Sequence, residues 1–281
     1  MHPQAAWRKR EATLLAGAVA VVASGAVAPA WGQTPPAAGY SITEVSLTGS
    51  GYEYAYRGGT SRYSDAYGLN AAGQVTGYTR RYNALGDALG QDGWLWTGST
   101  TQVVGLTGSG YEGPSTGPGG GAVRHTWSVQ LNAAGQASGY TLRCNALGKD
   151  LGYDAWLATG SATQLIGLTG AGYEYAYTGP GGGTYRRNIG GQINAAGQVI
   201  GTTERYNASG TRLGGDAWLW TGSTAQVVGL TGSGYEYAST GPGGGTYRSS
   251  ARDQLNAAGQ VAGHTRRFNA SGTSLGYDAW L

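Results

Sequence analysis

A Glu, an Arg and an Asp recur through this chain at matched positions: Glu53, Glu112, Glu174 and Glu236; Arg81, Arg143, Arg205 and Arg267; Asp92, Asp154, Asp216 and Asp278. Acid, base and cation in one constellation could perform general acid–base chemistry. A catalytic set is needed once, however, and this one occurs four times. Repetition suits ion pairs that hold a repeated architecture together. So does the Trp that follows each Asp by two positions, at Trp94, Trp156, Trp218 and Trp280. An enzyme such as a glycosidase or a lyase would need residues that break the repeat and converge on one mouth. Asp65, Asp253 and His264 are of that kind. The expectation is a non-catalytic protein, with a propeller-type carbohydrate-active enzyme as the alternative.

Other reactive types carry bland readings. Cys144 stands where Tyr82, Tyr206 and Phe268 stand in the other copies, as a small substitute for a ring. A single Cys makes no internal disulfide. His125 and His264 hold non-equivalent positions, with no acidic or Cys cluster at ligand spacing, so no metal or cofactor is expected. Gly-Pro-Gly-Gly-Gly, from Gly117, Gly179 and Gly241, lacks the Lys-Ser/Thr and the following helix of a phosphate-binding loop. It reads as a loop between units.

Tyrosines offer a binding chemistry. Tyr52, Tyr54 and Tyr56 sit beside Gly-rich loops, as do Tyr173, Tyr175 and Tyr177, and Tyr235 and Tyr237. Aromatic faces on loops suit stacking on sugar rings or packing against a partner. These eight residues are the candidate binding surface, and an extracellular glycan or a surface protein is the expected partner. The competing reading has them packing between units, since Tyr is also a good strand residue.

The elements that must position these residues are short strands. The string Asn-Ala-Ala-Gly-Gln begins at Asn70, Asn132, Asn194 and Asn256, and each step is 62 residues. Such a period marks a repeat architecture. Gly in the fourth place of that string suits a hairpin whose last turn residue is left-handed. In the strand that follows, Gly77, Thr79 and Arg81 are identical in all four copies, while Thr76, Tyr78 and Arg80 vary. A period of two with one constant face is a strand signature. Further strands are predicted around Trp94-Leu95-Trp96 and Gln102-Val103-Val104, which makes each unit a four-stranded antiparallel meander. Tandem meanders predict an all-β, β-propeller-like array of four repeats. A β-solenoid, or a fragment of a larger propeller, is the alternative. The units run about 47–105, 106–167, 168–229 and 230–281, and residues 41–46 align with a fourth strand as a candidate closing strand.

Composition agrees. Gly is 54 of 281 residues, charged residues are 12% and aromatic residues 11%, which exclude a coiled coil and disfavour disorder. Arg8, Lys9 and Arg10 precede an apolar run rich in Ala and Val and then small residues, the layout of a secretory signal peptide over 1–32. A linker over 33–40 follows. Two of the three net positive charges lie in that signal, so the exported part is nearly neutral and nucleic-acid binding is not expected. No transmembrane span is expected after cleavage, and nothing in the sequence sets the oligomeric state.

The units resemble HAF-type extracellular repeats, which occur in PEP-CTERM-associated bacterial proteins. The likeness is carried by Ile193-Asn194-Ala195-Ala196-Gly197-Gln198-Val199-Ile200-Gly201 and then Trp218-Leu219-Trp220. It implies a secreted or cell-surface protein without an established chemistry.

Overall fold

A computed structural model describes residues 19–22 and 41–281. The linker at 33–40 and all of the signal segment but Val19–Val22 fall outside the described residues. Strands and turns make up what is described, and no helix occurs among these residues.

Two strands precede the repeats, β1 (Val19–Val22) and β2 (Ser41–Glu44). The first unit holds β3 (Tyr54–Tyr56), β4 (Gly59–Ser61), β5 (Ser64–Leu69), β6 (Val75–Tyr82), β7 (Ala88–Trp96) and β8 (Thr101–Val104). The second holds β9 (Gly113–Pro114), β10 (Ala122–Leu131), β11 (Ala137–Cys144), β12 (Asp150–Thr159) and β13 (Ala162–Ile166). The third holds β14 (Glu174–Ala176), β15 (Thr184–Ile193), β16 (Val199–Tyr206), β17 (Arg212–Trp220) and β18 (Ala225–Val228). The fourth holds β19 (Glu236–Ala238), β20 (Thr246–Leu255), β21 (Val261–Phe268) and β22 (Ser274–Trp280).

Within a unit the ladders are antiparallel, as β10–β11–β12–β13 shows. Between units they are parallel: Gly90 faces Arg124, Gly152 faces Arg186 and Gly214 faces Arg248. The antiparallel pattern expected from the sequence therefore holds inside each unit only. The third strand of a unit is shared. Its second half pairs with its own fourth strand and its first half with the next unit. One mixed sheet results, in which the four units are hydrogen-bonded in series. The predicted hairpin turn is present, with Gly73, Gly135, Gly197 and Gly259 at φ between 77° and 84°.

Each core sets the constant face of one unit against apolar residues of the opposite face of the unit before. Trp94, Trp156 and Trp218 are fully buried. The glycine opposite each Trp is a space requirement, because a Cβ on Gly201 would sit 2.0 Å from Trp218 Cζ2. Each core spans two units: Leu95 and Val104 of the first unit pack with Leu106, Ala137, Trp156 and Ala158 of the second.

Residues 41–47 play that part for the first unit. Val45 and Leu47 pack with Val75, Trp94 and Trp96, and Thr101 Oγ1 donates to the Val45 carbonyl at 2.7 Å. β2 pairs antiparallel with β1. The segment aligned as a fourth strand thus caps the first core as Val104 caps the second, and Val45 is fully buried there.

Ion pairs join one unit to the next. Asp154 of β12 accepts from Arg186 Nε of the third unit at 2.6 Å, from Tyr111 Oη at 2.8 Å, and lies 3.1 Å from Arg143 Nε. Asp92 and Asp216 are held likewise by Arg124 and Arg248. The Asp154 carboxylate is 1% exposed and the Asp278 carboxylate 37%. Removing one partner of a buried ion pair strands the other charges, at a cost of about 3–5 kcal/mol. Asp154→Asn is expected to show a loss of that order in a denaturant titration. Asp278→Asn is expected to cost under about 1 kcal/mol, because its pair is open to water. Equal losses would refute a role for burial in these joints.

Candidate functional site

The tyrosines singled out by sequence separate into three groups. Tyr52, Tyr173 and Tyr235 each donate their hydroxyl to the unit's Asp, at 2.8 Å in every case. Burial first and then the adjacent carboxylate push the Tyr52 and Tyr173 hydroxyls far up. Tyr235 is raised chiefly by its bond to Asp278. These hydroxyls are committed to the scaffold. Tyr54, Tyr175 and Tyr237 stack on Tyr82, Tyr206 and Phe268, with ring centres 4.6, 5.0 and 4.9 Å apart. Tyr56 is exposed, and Tyr177 lies against Gly179 of its own loop. The eight do not converge on one site.

The second of these groups also explains Cys144. In the second unit the two members of the ring pair are Gly113 and Cys144, so both are small and fit each other. A Cβ on Gly113 would lie 3.3 Å from Cys144 Sγ. Burial raises the Cys144 thiol and so keeps it protonated.

The recurring charges are structural, as read, with one partner that sequence reasoning missed. Glu112, Glu174 and Glu236 pair with Arg124, Arg186 and Arg248. In the first unit Arg62 takes both Glu53 and Glu44. Arg81, Arg143, Arg205 and Arg267 lie 3.1–3.5 Å from the unit's Asp. The Arg62, Arg124, Arg186 and Arg248 series was legible by its 62-residue step. Asparagines do comparable work at the loops. Asn145 Oδ1 accepts from the Leu147 and Lys149 amides, while its Nδ2 donates to the carbonyls of Pro180 and Gly182 in the next unit. The Gly-Pro-Gly-Gly-Gly loops are thereby anchored to the unit before, although each joins two strands of a single unit and is not the loop between units that the sequence suggested.

The face of the sheet opposite the tryptophans is where the copies differ. Register places Asp65 beside Tyr78, Trp127 beside Tyr140, Ile189 beside Thr202 and Ala251 beside His264. One step along, Leu142 faces Tyr153, which faces Arg187 across the parallel joint. Glu204 faces Gly215, which faces Ser249. Each unit thus presents a different side-chain set on the same backbone frame.

Aromatic rings dominate at the second unit. Trp127 stacks with His125 at 5.1 Å and with Tyr140 at 5.7 Å, and meets Tyr153 edge-on at 5.6 Å. The Arg187 guanidinium lies over Tyr153 at 5.6 Å. In the first unit Tyr63 and Tyr67 flank Tyr78, whose hydroxyl donates to Asp65 at 2.7 Å. At the third unit the face turns polar and forms a pocket of about 220 Å³. Arg187, Thr202, Glu204, Arg212 and Ser249 line it. Glu204 sits between Arg187 at 2.8 Å and Arg212 at 3.2 Å. Burial pulls the Arg187 guanidinium down and Glu204 more than offsets it, so it stays charged.

No family model matches the chain, and neither does any curated protein sequence. A solved fucose lectin from Kordia zhangzhouensis, in complex with methyl-fucoside, is similar at a TM-score of 0.27 and 15% identity, over 60% of this chain and 100% of that one.

Of the repeat-breaking residues, the structure brings two together. His264 Nδ1 lies 2.9 Å from Asp253 Oδ2, and the His264 ring meets Tyr277 edge-on at 5.2 Å. Both are substantially exposed, at 40% and 51%. Asp65 lies in another unit and bonds Tyr78.

The aromatic cluster makes a pH test available. Burial first, and then the Arg81 charge, lower the His125 pKa from its ordinary 6.5. The unfolded chain therefore binds more protons than the folded one on the acid side of that value, and stability falls as pH falls. The melting temperature of the unaltered protein is expected to drop relative to His125→Gln below about pH 6.5. Parallel pH profiles for the two proteins would refute a neutral, buried His125.

Proposed function

We propose that this is an exported, non-catalytic carbohydrate-binding protein, a propeller-like array of four repeats that displays its variable sheet face to extracellular polysaccharide. The observation that carries the reading is the ring cluster of Trp127, Tyr140 and Tyr153 with His125, set on an otherwise constant frame. Flat aromatic faces give large contact area at little entropic cost and suit the apolar faces of sugars. The signal-like N-terminus and the resemblance to HAF-type repeats support export to the surface or the matrix. Several shallow surfaces at a regular repeat on one chain favour a long ligand, bound by multivalency.

Glycan-array binding and calorimetry on a retained glycan test the reading. Trp127→Ala and Tyr140→Ala are expected to weaken binding about tenfold or more, as loss of a stacking anchor does. Tyr175→Ala is expected to leave affinity unchanged. Binding that survives Trp127→Ala but is lost in Tyr175→Ala would move the site back to the loops.

A second reading, an enzyme acting on the same ligand, is favoured by the His264–Asp253 pair beside Tyr277. The exposure of that pair argues for the binding role, because acid–base groups in enzymes are tuned by burial. Incubation with bound polysaccharide is expected to yield neither new reducing ends nor unsaturated products. Turnover that disappears in His264→Ala would establish the enzyme instead.

A further inference from the structure

The aromatic cluster and the pocket share one residue, Arg187. Its guanidinium covers the Tyr153 ring, while its Nη1 donates to Glu204 inside the pocket. From this shared residue we infer that the ligand is an anionic polysaccharide, with one sugar on the Trp127–Tyr153 rings and the acidic group of the adjoining sugar in the pocket between the third and fourth units. The inference rests on the carbohydrate reading and narrows it.

Charge and size support this assignment. Two guanidinium groups, Arg187 and Arg212, line the pocket against one carboxylate, Glu204, which leaves one positive charge in excess. Arg187 Nη1 donates to Glu204 Oε1, Arg212 Nε lies 3.2 Å from the same oxygen, and the Tyr206 hydroxyl donates to Oε2. A guanidinium has five N–H donors, so each keeps several for a ligand oxyanion. Paired planar donors match a carboxylate or sulfate ester, and such charge-assisted bonds are about twice as strong as neutral ones. Thr202 and Ser249 add hydroxyls at the same wall. At about 220 Å³ the pocket is smaller than the roughly 300–1,000 Å³ that encloses a whole drug-sized ligand. It suits one substituted ring of a longer chain.

The equivalent joints lack this set. Where the third unit has Glu204 and Arg212, the first has Arg80 and Ala88 and the second has Leu142 and Asp150. The second unit therefore supplies rings and the third supplies cations, so the polarity of the site along the sheet is built in.

Calorimetry on the purified full chain tests the proposal with three probes of matched length: an oligogalacturonate, a sulfated galactan oligosaccharide and an uncharged gluco-oligosaccharide. At least one anionic probe is expected to bind about tenfold more tightly than the uncharged one, and to weaken as salt rises. Arg212 is half exposed, so Arg212→Gln is expected to fold normally, as an unchanged melting temperature will verify. It is expected to remove that preference while leaving uncharged-probe binding intact. Which anionic probe gains the advantage separates carboxylate from sulfate ester. Equal binding of charged and uncharged probes, or an unaltered preference in Arg212→Gln, overturns the anionic assignment and leaves the carbohydrate reading standing. Binding of none of the three overturns both.

Discussion

A buried carboxylate at the joint between units is the constraint on which the remaining structure depends. Asp92, Asp154 and Asp216 each receive an Arg from their own unit, an Arg from the next unit and a Tyr hydroxyl. Taking such charges out of water costs several kcal/mol per ion, and only near-complete hydrogen bonding offsets it. The unit cannot satisfy its Asp alone. The bidentate partner arrives with the following copy, and that Arg is in turn braced by its own Glu. At the start of the array Glu44 stands in for the absent Asp by pairing with Arg62. This arrangement makes each joint selective for a correctly seated neighbour. It also accounts for a chain in which so few residues are charged, yet the charges recur at fixed places.

The joints determine what the two faces of the sheet can do. Alternation along a strand sends one set of side chains toward the Trp core and the other away from it. On the core side, Gly, Thr, Arg, Asp and Trp are tied to one another by contact, so a change in any one disturbs two units. The other side is tied as well where it meets the next unit, as Leu95 is in one core with Trp156 and Leu157 in one core with Trp218, and the copies differ at positions such as Trp127 and Ile189. In repeat proteins stability is the sum of unit and neighbour terms. Here the neighbour terms draw on both faces of the sheet. The same frame carries Trp127 in one unit and Ile189 at the same position in another.

Much of this architecture was legible in the sequence because it repeats. The turn glycines, the opposed Gly201 and Trp218, and the Glu–Arg–Asp sets all announce themselves by a 62-residue step. The parallel joint was not legible. Gly152 and Arg186 lie far apart in the chain and show no pattern until the third strand of a unit is seen to divide between two partners. The capping role of Val45 and Leu47 was hidden for a similar reason. Alignment identified the strand type, but burial decides which core it fills. Tyr52 and Tyr173 drew notice for lying beside Gly-rich loops, and they recur since Asp92 and Asp216 each take a third donor. Trp127 has no aromatic counterpart in the first and third units, so no repeat pointed to it.

The parallel joint also explains why variable residues of neighbouring units meet in clusters and not in isolated patches. An antiparallel hairpin joins neighbours in sequence, so each unit by itself offers a face only a few residues wide. The joint adds the first strand of the next unit alongside, which brings Arg187 against Tyr153 and Ser249 against Gly215. Every site is thus composed from two units, and one residue can serve two sites, as Arg187 does in reaching from the ring cluster to Glu204. A polymer bound across such shared residues would be held in register with the sheet. Its successive sugars would meet different chemistry at successive joints while the spacing between joints stayed constant. Constant spacing with variable chemistry is the condition under which several weak contacts add along one chain, since the second contact is made at high effective concentration once the first has formed.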